Sequence, residues 1–388
     1  MNRSSAVGGP WQIDLTRLPG PLGKLGQKEL HLWLGSWLKD RAARALERTF
    51  DGTRHLFFTL CDHYEPLHGN VDLEKGIARV ALWREQYPVL ARQFRDADGR
   101  PPRHSYFFPG EQYDPRLVEP LGEMCALGLG EVEVHLHHSG DTRATLQASL
   151  EQTLVDLERH GLVPQKDGKR AWAFIHGNWC LANSRRDGRM CGVDDEIALL
   201  WEMGCYSDLT FPSAPDQSQP AIVNRIYYPR GDVSRRRAYE DGEPVHVGTP
   251  RQDRLLLIEG PLAISFRPGT RRPRIESSAL DHGDPPTEAR LETWVDQGIG
   301  VGGRPEWVFV KVHTHGAVDK NAQVMLGDEI VRFHEALGRR FNDGEKWKLH
   351  YVTAREMFNL ARAAMDGKRG EPSDYFDYEI PKPERASR

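Results

Sequence analysis

Short apolar runs alternate along this chain with stretches of helical spacing, and no other feature constrains the fold as much. The runs cover residues 55–60, 105–108, 132–135, 171–176, 205–211, 255–258, 307–312 and 349–352. Between them, residues 72–95, 144–160, 194–203 and 326–337 carry apolar side chains at helical intervals. Such an order builds βα units around a parallel sheet covered on both faces. Seven or eight strands of this kind predict a closed α/β barrel, since an open sheet leaves edges to protect; a doubly wound sheet is the alternative.

The rhythm also suggests boundaries. Residues 1–50 read as an N-terminal extension, with an amphipathic helix over 28–48 in which Leu30, Leu34, Leu38, Ala42 and Leu46 recur every four residues. Residues 51–366 hold the barrel. Within them, 214–303 is rich in Pro, Gly and Arg and is expected to be a long irregular insertion before the last strands, with one or two short strands inside. Its basic clusters, Arg235-Arg236-Arg237 and Arg271-Arg272-Pro273-Arg274, are expected to be solvated. The tail, 367–388, is expected to be mobile.

Composition excludes several classes. With 52 basic and 56 acidic residues the net charge is -4, so no global field favours nucleic acid or an anionic membrane. Five widely spaced cysteines without a C-x-x-C pair argue against a disulfide scaffold or zinc ribbon and fit a reducing compartment. No apolar stretch near the start suits a signal peptide and no later run suits a membrane span, so a cytoplasmic protein is expected.

Residues capable of chemistry stand where apolar runs end, and in a parallel barrel those ends converge on one face. In the first loop, Asp62, His63 and Glu65 follow in quick succession, a set able to supply a general base and a metal ligand together. His135, His137 and His138 close the third run; alternation sends the first two to one side, and imidazoles so placed suit zinc and similar ions. Asp141-Thr142 reads as a helix cap. His176, Asn178 and Trp179 have the character of a sugar subsite, hydrogen-bonding groups beside an aromatic face. His313 and His315, two apart at another strand end, offer an acid for a departing amine. Cys61 has no paired base and reads as a packing residue.

The order of these motifs, from about Phe57 to Thr353, resembles the polysaccharide deacetylase superfamily, the NodB-type carbohydrate esterases, in a divergent branch. The resemblance implies a distorted (β/α)7-type barrel. It maps the family's first motif onto 59–63, with Asp62 as base and His63 as metal ligand, or Cys61 at the base position and Asp62 as ligand. It maps the Glu-x-x-x-His motif onto Glu131 and His135, with His138 or His137 replacing the usual second histidine, because Ser139 stands there. His313 or His315 takes the place of the general acid. The Arg-x-Pro-type motif is replaced by 176–179, and the fifth-strand region offers only Asp208.

The resulting expectation is a hydrolase that removes acetyl from an N-acetylated sugar or polysaccharide precursor. It would use a divalent metal, zinc first, with cobalt, nickel or iron possible. Its site would be Asp62, Glu65, His313 and His315 for catalysis, Asp62, His63, His135, His137 and His138 for metal, and His176, Asn178, Trp179 and Asp208 for the carbohydrate. The alternatives are an inactive barrel that binds glycan or assists surface-polysaccharide synthesis, and a metal-dependent amidase on a non-carbohydrate amide.

Overall fold

The structure, a computed structural model, describes residues 28–46, 50–266, 270 and 272–384. The readings placed on residues 1–27, 47–49, 267–269, 271 and 385–388 lie outside the described residues. No helix among the described residues is long and apolar enough to cross a membrane.

One large mixed sheet organises the chain. In chain order its strands are β1 (Arg54–His63), β2 (His104–Pro109), β3 (Gly130–Leu136), β4 (Trp172–His176), β5 (Cys205–Asp208), β6 (Ile226–Pro229), β7 (Gly242–Pro244), β8 (Leu256–Ile258), β9 (Ala279–Leu280), β10 (Trp307–Thr314) and β11 (Trp347–Tyr351). Their spatial order is β9-β10-β1-β2-β3-β4-β5-β8-β6-β7, with β11 also on β1. Every pair is parallel except β8 with β6 and β6 with β7. β11 registers with residues 54–58 of β1 and β2 with residues 60–63, so the two divide its length. The predicted closure is not found: among the described residues the ladder ends at β9 and β7.

Helices α1 (Leu30–Leu46), α2 (Leu73–Ala91), α3 (Pro115–Ala126), α4 (Arg143–Glu158), α5 (Glu196–Glu202), α6 (Glu288–Val295), α7 (Asp319–Met325), α8 (Asp328–Phe341) and α9 (Ala354–Met365) complete the fold. The pleat separates two cores. Leu56, Phe58 and Leu60 of β1, Val132, Val134 and Leu136 of β3, and Val308, Val310 and Val312 of β10 pack outward with α2, α3, α4 and α8. Phe57, Cys61, Phe107, Ala173, Ile175 and Phe309 point inward onto α9. All of α9 is buried, its polar face included. Its start is marked by a capping box between Thr353 and Glu356, and Thr142 caps α4 in the same way.

Because α9 is buried, its charges need partners. Arg355 donates to Glu131 at 2.8 and 3.0 Å and to the carbonyls of Phe376 and Ile380, while Glu356 is paired with Arg100 and Arg103. Burial works to raise the pKa of Glu356, but Arg103 and Arg100 outweigh it and hold it down at about 2. A carboxylate depressed in the fold stabilises above its unfolded value and stops doing so as it protonates. Stability is therefore expected to fall as pH drops from about 4.5 towards 2. Urea midpoints across that window check this, and Glu356→Gln should flatten the slope.

Four expectations are modified by packing. On α1 the buried side chains are Trp33 and Trp37, set against Ala214, Val223 and Leu262, while Leu38 is exposed. A strict four-residue repeat drifts around a helix of 3.6 residues per turn, so the leucines cannot all share one face. Residues 214–303 are more ordered than an irregular insertion: they supply β6 to β9, a further hairpin (263–266 with 273–276) and α6. Of the basic clusters Arg235, Arg236 and Arg272 are exposed, as expected, whereas Arg237 donates to the carbonyls of Ser184 and Gln217 and Arg274 pairs with Asp284. The described part of the tail, 367–384, packs against α9 through Phe376 and Ile380, whose carbonyls also accept from Asn359.

Candidate metal centre

The pleat decides which loop residues meet. Along β1, Phe57 and Cys61 face inward, so His63 does too, whereas Asp62 follows Leu60 outward. His135 lies in phase with Glu131 and Glu133, and His313 with Phe309 and Lys311, so these rings share the concave side with His63 at the strand ends.

Ligand atoms of His63, Glu65 and His135 lie within 4.8 Å of one another, and all three residues are buried. Glu65 Oε1 is the hub, 3.3 Å from His135 Nε2, 3.5 Å from His137 Nε2 and 3.6 Å from His315 Nε2. Its other oxygen is 2.5 Å from Nδ1 of His68, a half-exposed neighbour that the sequence reading passed over. Burial favours protonation of Glu65, but hydrogen bonds with His135, His137 and His68 override it and keep the carboxylate ionised. His63 is kept neutral, first by burial and then by repulsion from His315, His135 and His313.

Tautomers favour coordination here. His135 Nδ1 donates to the Ile175 carbonyl at 2.9 Å, which fixes the ring with Nε2 facing Glu65, as a donor to the carboxylate without an ion and as a ligand with one. His137 differs: burial opposes its charge, but Glu111, 2.6 Å from its Nδ1, and Glu65, 3.5 Å from its Nε2, prevail and raise its pKa to about 10, so its protonated ring offers no lone pair. Both ring nitrogens of His63 are buried with no partner. Such orphans call for a ligand, and a cation among neutral imidazoles and a carboxylate supplies it.

Asp62 does not join this group. One of its oxygens is 2.8 Å from His104 Nε2, and the other accepts the Gly316 N–H at 2.7 Å. Gly316 is required there, since a Cβ would collide with the Asp62 carboxylate and the Trp83 ring. The structure thus places Asp62 on the outer side, holding the loop that carries His315. Cys61 is fully buried, and burial pushes its thiol up to about 12.

His138 turns away from His135 into a second buried cluster with His176 and Glu196, also of a composition able to hold a metal ion. The two clusters fit unequally. His176 Nδ1 accepts the Asn178 N–H at 3.1 Å, so its neutral ring keeps the proton on Nε2, the atom facing Glu196. Burial opposes charge on His138, but Glu196 and Asp141 prevail and raise its pKa. A carboxylate on each side favours the protonated ring, which offers no lone pair.

A cavity of about 430 Å³ opens beside the first cluster, lined by Trp179, Pro212, Ser213, Asp281, His313 and His315. Trp179 adopts φ 62°, a left-handed conformation costly for a bulky residue, and its ring lies 4.8 Å from His63 and 5.3 Å from His313. Of the expected carbohydrate contacts, Trp179 alone lines this cavity. Asn178 donates to the His138 carbonyl, His176 belongs to the outer cluster, and Asp208 accepts from Thr210, burial raising its pKa to about 7. His313 keeps an unpaired Nδ1, and burial sets its pKa well below the usual histidine value.

His68 was legible as a histidine three residues after Glu65. Glu111 and Glu196 had no signal, since each reaches the imidazoles from a separate element. In comparisons with known proteins, no family model and no curated protein matches this sequence.

Proposed function

We propose that this chain is a metal-dependent hydrolase that removes acetyl from an N-acetylated sugar or polysaccharide precursor, on an opened, distorted (β/α)7-type barrel. The observation that carries the reading is His63, whose buried and unpartnered ring lies among His135, His315 and Glu65 beside a cavity walled by Trp179. Two contacts support the barrel. Lys311 of β10 donates across the concave side to the carbonyls of Leu209 and Phe211 beyond β5, and a bridge joins His246, after β7, to Gly302, before β10.

His63, Glu65 and His135 would hold the ion, and a mixed nitrogen and oxygen set of this kind suits zinc, with cobalt, nickel or iron as alternatives. When bound, such an ion polarises an acyl carbonyl and lowers the pKa of water from about 16 towards about 7. The side chains supply the rest. Trp179 offers a flat apolar face to a sugar ring. Glu65 is the carboxylate on the concave side, and half-exposed His68 on its second oxygen gives a proton a route to solvent. His313 faces the cavity; burial keeps its resting ring neutral, so it would take up the proton released by the attacking water before passing it to a departing amine. Asp62 positions the His315 loop from behind.

Protein purified without a metal-affinity tag is expected to carry stoichiometric divalent metal and to release acetate from N-acetylglucosamine oligomers. Absence of metal would overturn the centre. Bound metal without acetate release, together with turnover of a non-sugar amide, would overturn the substrate assignment.

A further inference from the structure

A second cavity, of about 730 Å³, opens at the opposite end of the strands, within the size range of small-molecule sites. Ala171, Gly204 and Arg254, which precede β4, β5 and β8, line it, as do Phe358 and Arg362 of α9. The imidazole cluster stands at the other ends of these parallel strands, so the two sites are separate.

Charge and shape agree on its ligand. Arg362 is buried, with its side chain 1 % exposed; Nε donates to Glu379 at 2.9 Å and Nη1 to the Tyr228 hydroxyl at 2.7 Å, but Nη2 has no partner. Glu379 also serves Lys166 and Arg251, so it is one carboxylate among three cations; Asp366 offsets Arg251 in part. Arg254 donates only to the carbonyls of Pro229 and Gly231, and its Nε is buried without a partner. These guanidinium groups leave positive charge at the cavity wall only partly offset, which an anion in the cavity would balance. Aromatic side chains form part of the remaining wall, Tyr206, Tyr228, Phe358 and Trp201, the last 37 % exposed, beside Lys169 and Arg170 and the carboxylates of Asp167 and Glu202.

We propose that this cavity binds a small organic anion, a phosphate or carboxylate joined to a flat ring, with the charge on Arg362 and Arg254 and the ring against Trp201. Calorimetry on the full chain tests it with phenyl phosphate, benzoate and adenosine monophosphate, against inorganic phosphate and adenosine. Saturable binding of a ring-bearing anion is expected, the phosphate and carboxylate probes separating the two headgroups. Trp201→Ala and Arg254→Gln, both at partly exposed positions, should each weaken it about tenfold. His135→Ala should leave it unchanged, which separates this cavity from anion capture at the metal centre. No saturable binding, phosphate or adenosine alone binding as tightly, indifference to both cavity variants, or loss in His135→Ala would overturn it.

Discussion

Alanine at His135 is expected to remove the divalent metal proposed for this centre, and with it the proposed acetate release, while the fold persists. The ring is fully buried, its proton fixed on Nδ1 by the Ile175 carbonyl and its Nε2 aimed at Glu65. Loss of an outer partner of a ligand lowers metal affinity about 10–100-fold, so loss of the ligand itself should cost at least about a hundredfold. Elemental analysis after dialysis reads the metal, circular dichroism the fold. His138→Ala is the control: its ring belongs to the outer cluster, and metal content should not change. Metal that follows His138 or Glu196 and ignores His135 would move the centre to the other side of the sheet.

Truncation of Glu131 to alanine is expected to be the most destabilising single change at the far end of the strands, by about 3–5 kcal/mol. Glu131 binds Arg355 through both oxygens and accepts from Thr353, and both charged side chains are almost wholly buried. Without it Arg355 keeps only the exposed carboxylate of Asp377 and the carbonyls of Phe376 and Ile380 to offset its charge. Urea unfolding measures the loss, and the double change Glu131→Met with Arg355→Met should recover much of it, because two apolar side chains remove both desolvation costs. Equal losses in the single and double variants would show that packing, and not the stranded charge, sets the effect. Metal content should be unaffected: Glu131 and His135 share a face, but four residues of strand separate them by about 13 Å.

The same pair shows how far a spacing can be read. The Glu131-x-x-x-His135 pattern was legible and both side chains do point inward, yet only His135 reaches the cluster that could hold an ion. Asp62 and His63 teach the complementary point. Either could have been the ligand, because β1 is buried on both faces and no polar and apolar alternation shows its phase. Packing settled the phase: Leu60 went to the helices, so Asp62 followed and His63 turned to the cavity. His138, past the end of β3, was free of the pleat and joined Glu196 of α5 instead.

By itself the sequence determined the alternation of strands and helices, and with it the gathering of His63, Glu65, His135, His313 and His315 at one end of a mostly parallel sheet. Those follow from local periodicity, which repeats within a few residues and survives any later arrangement. Only the tertiary structure decided that the ladder stays open, that α9 fills the concave side, and which imidazoles keep a lone pair free. Each depends on groups distant in the chain, such as the Ile175 carbonyl, Glu111, Asn178 and Glu196. A proton on one ring nitrogen is placed by whatever partner folding brings to it, and no spacing along the polypeptide encodes that partner.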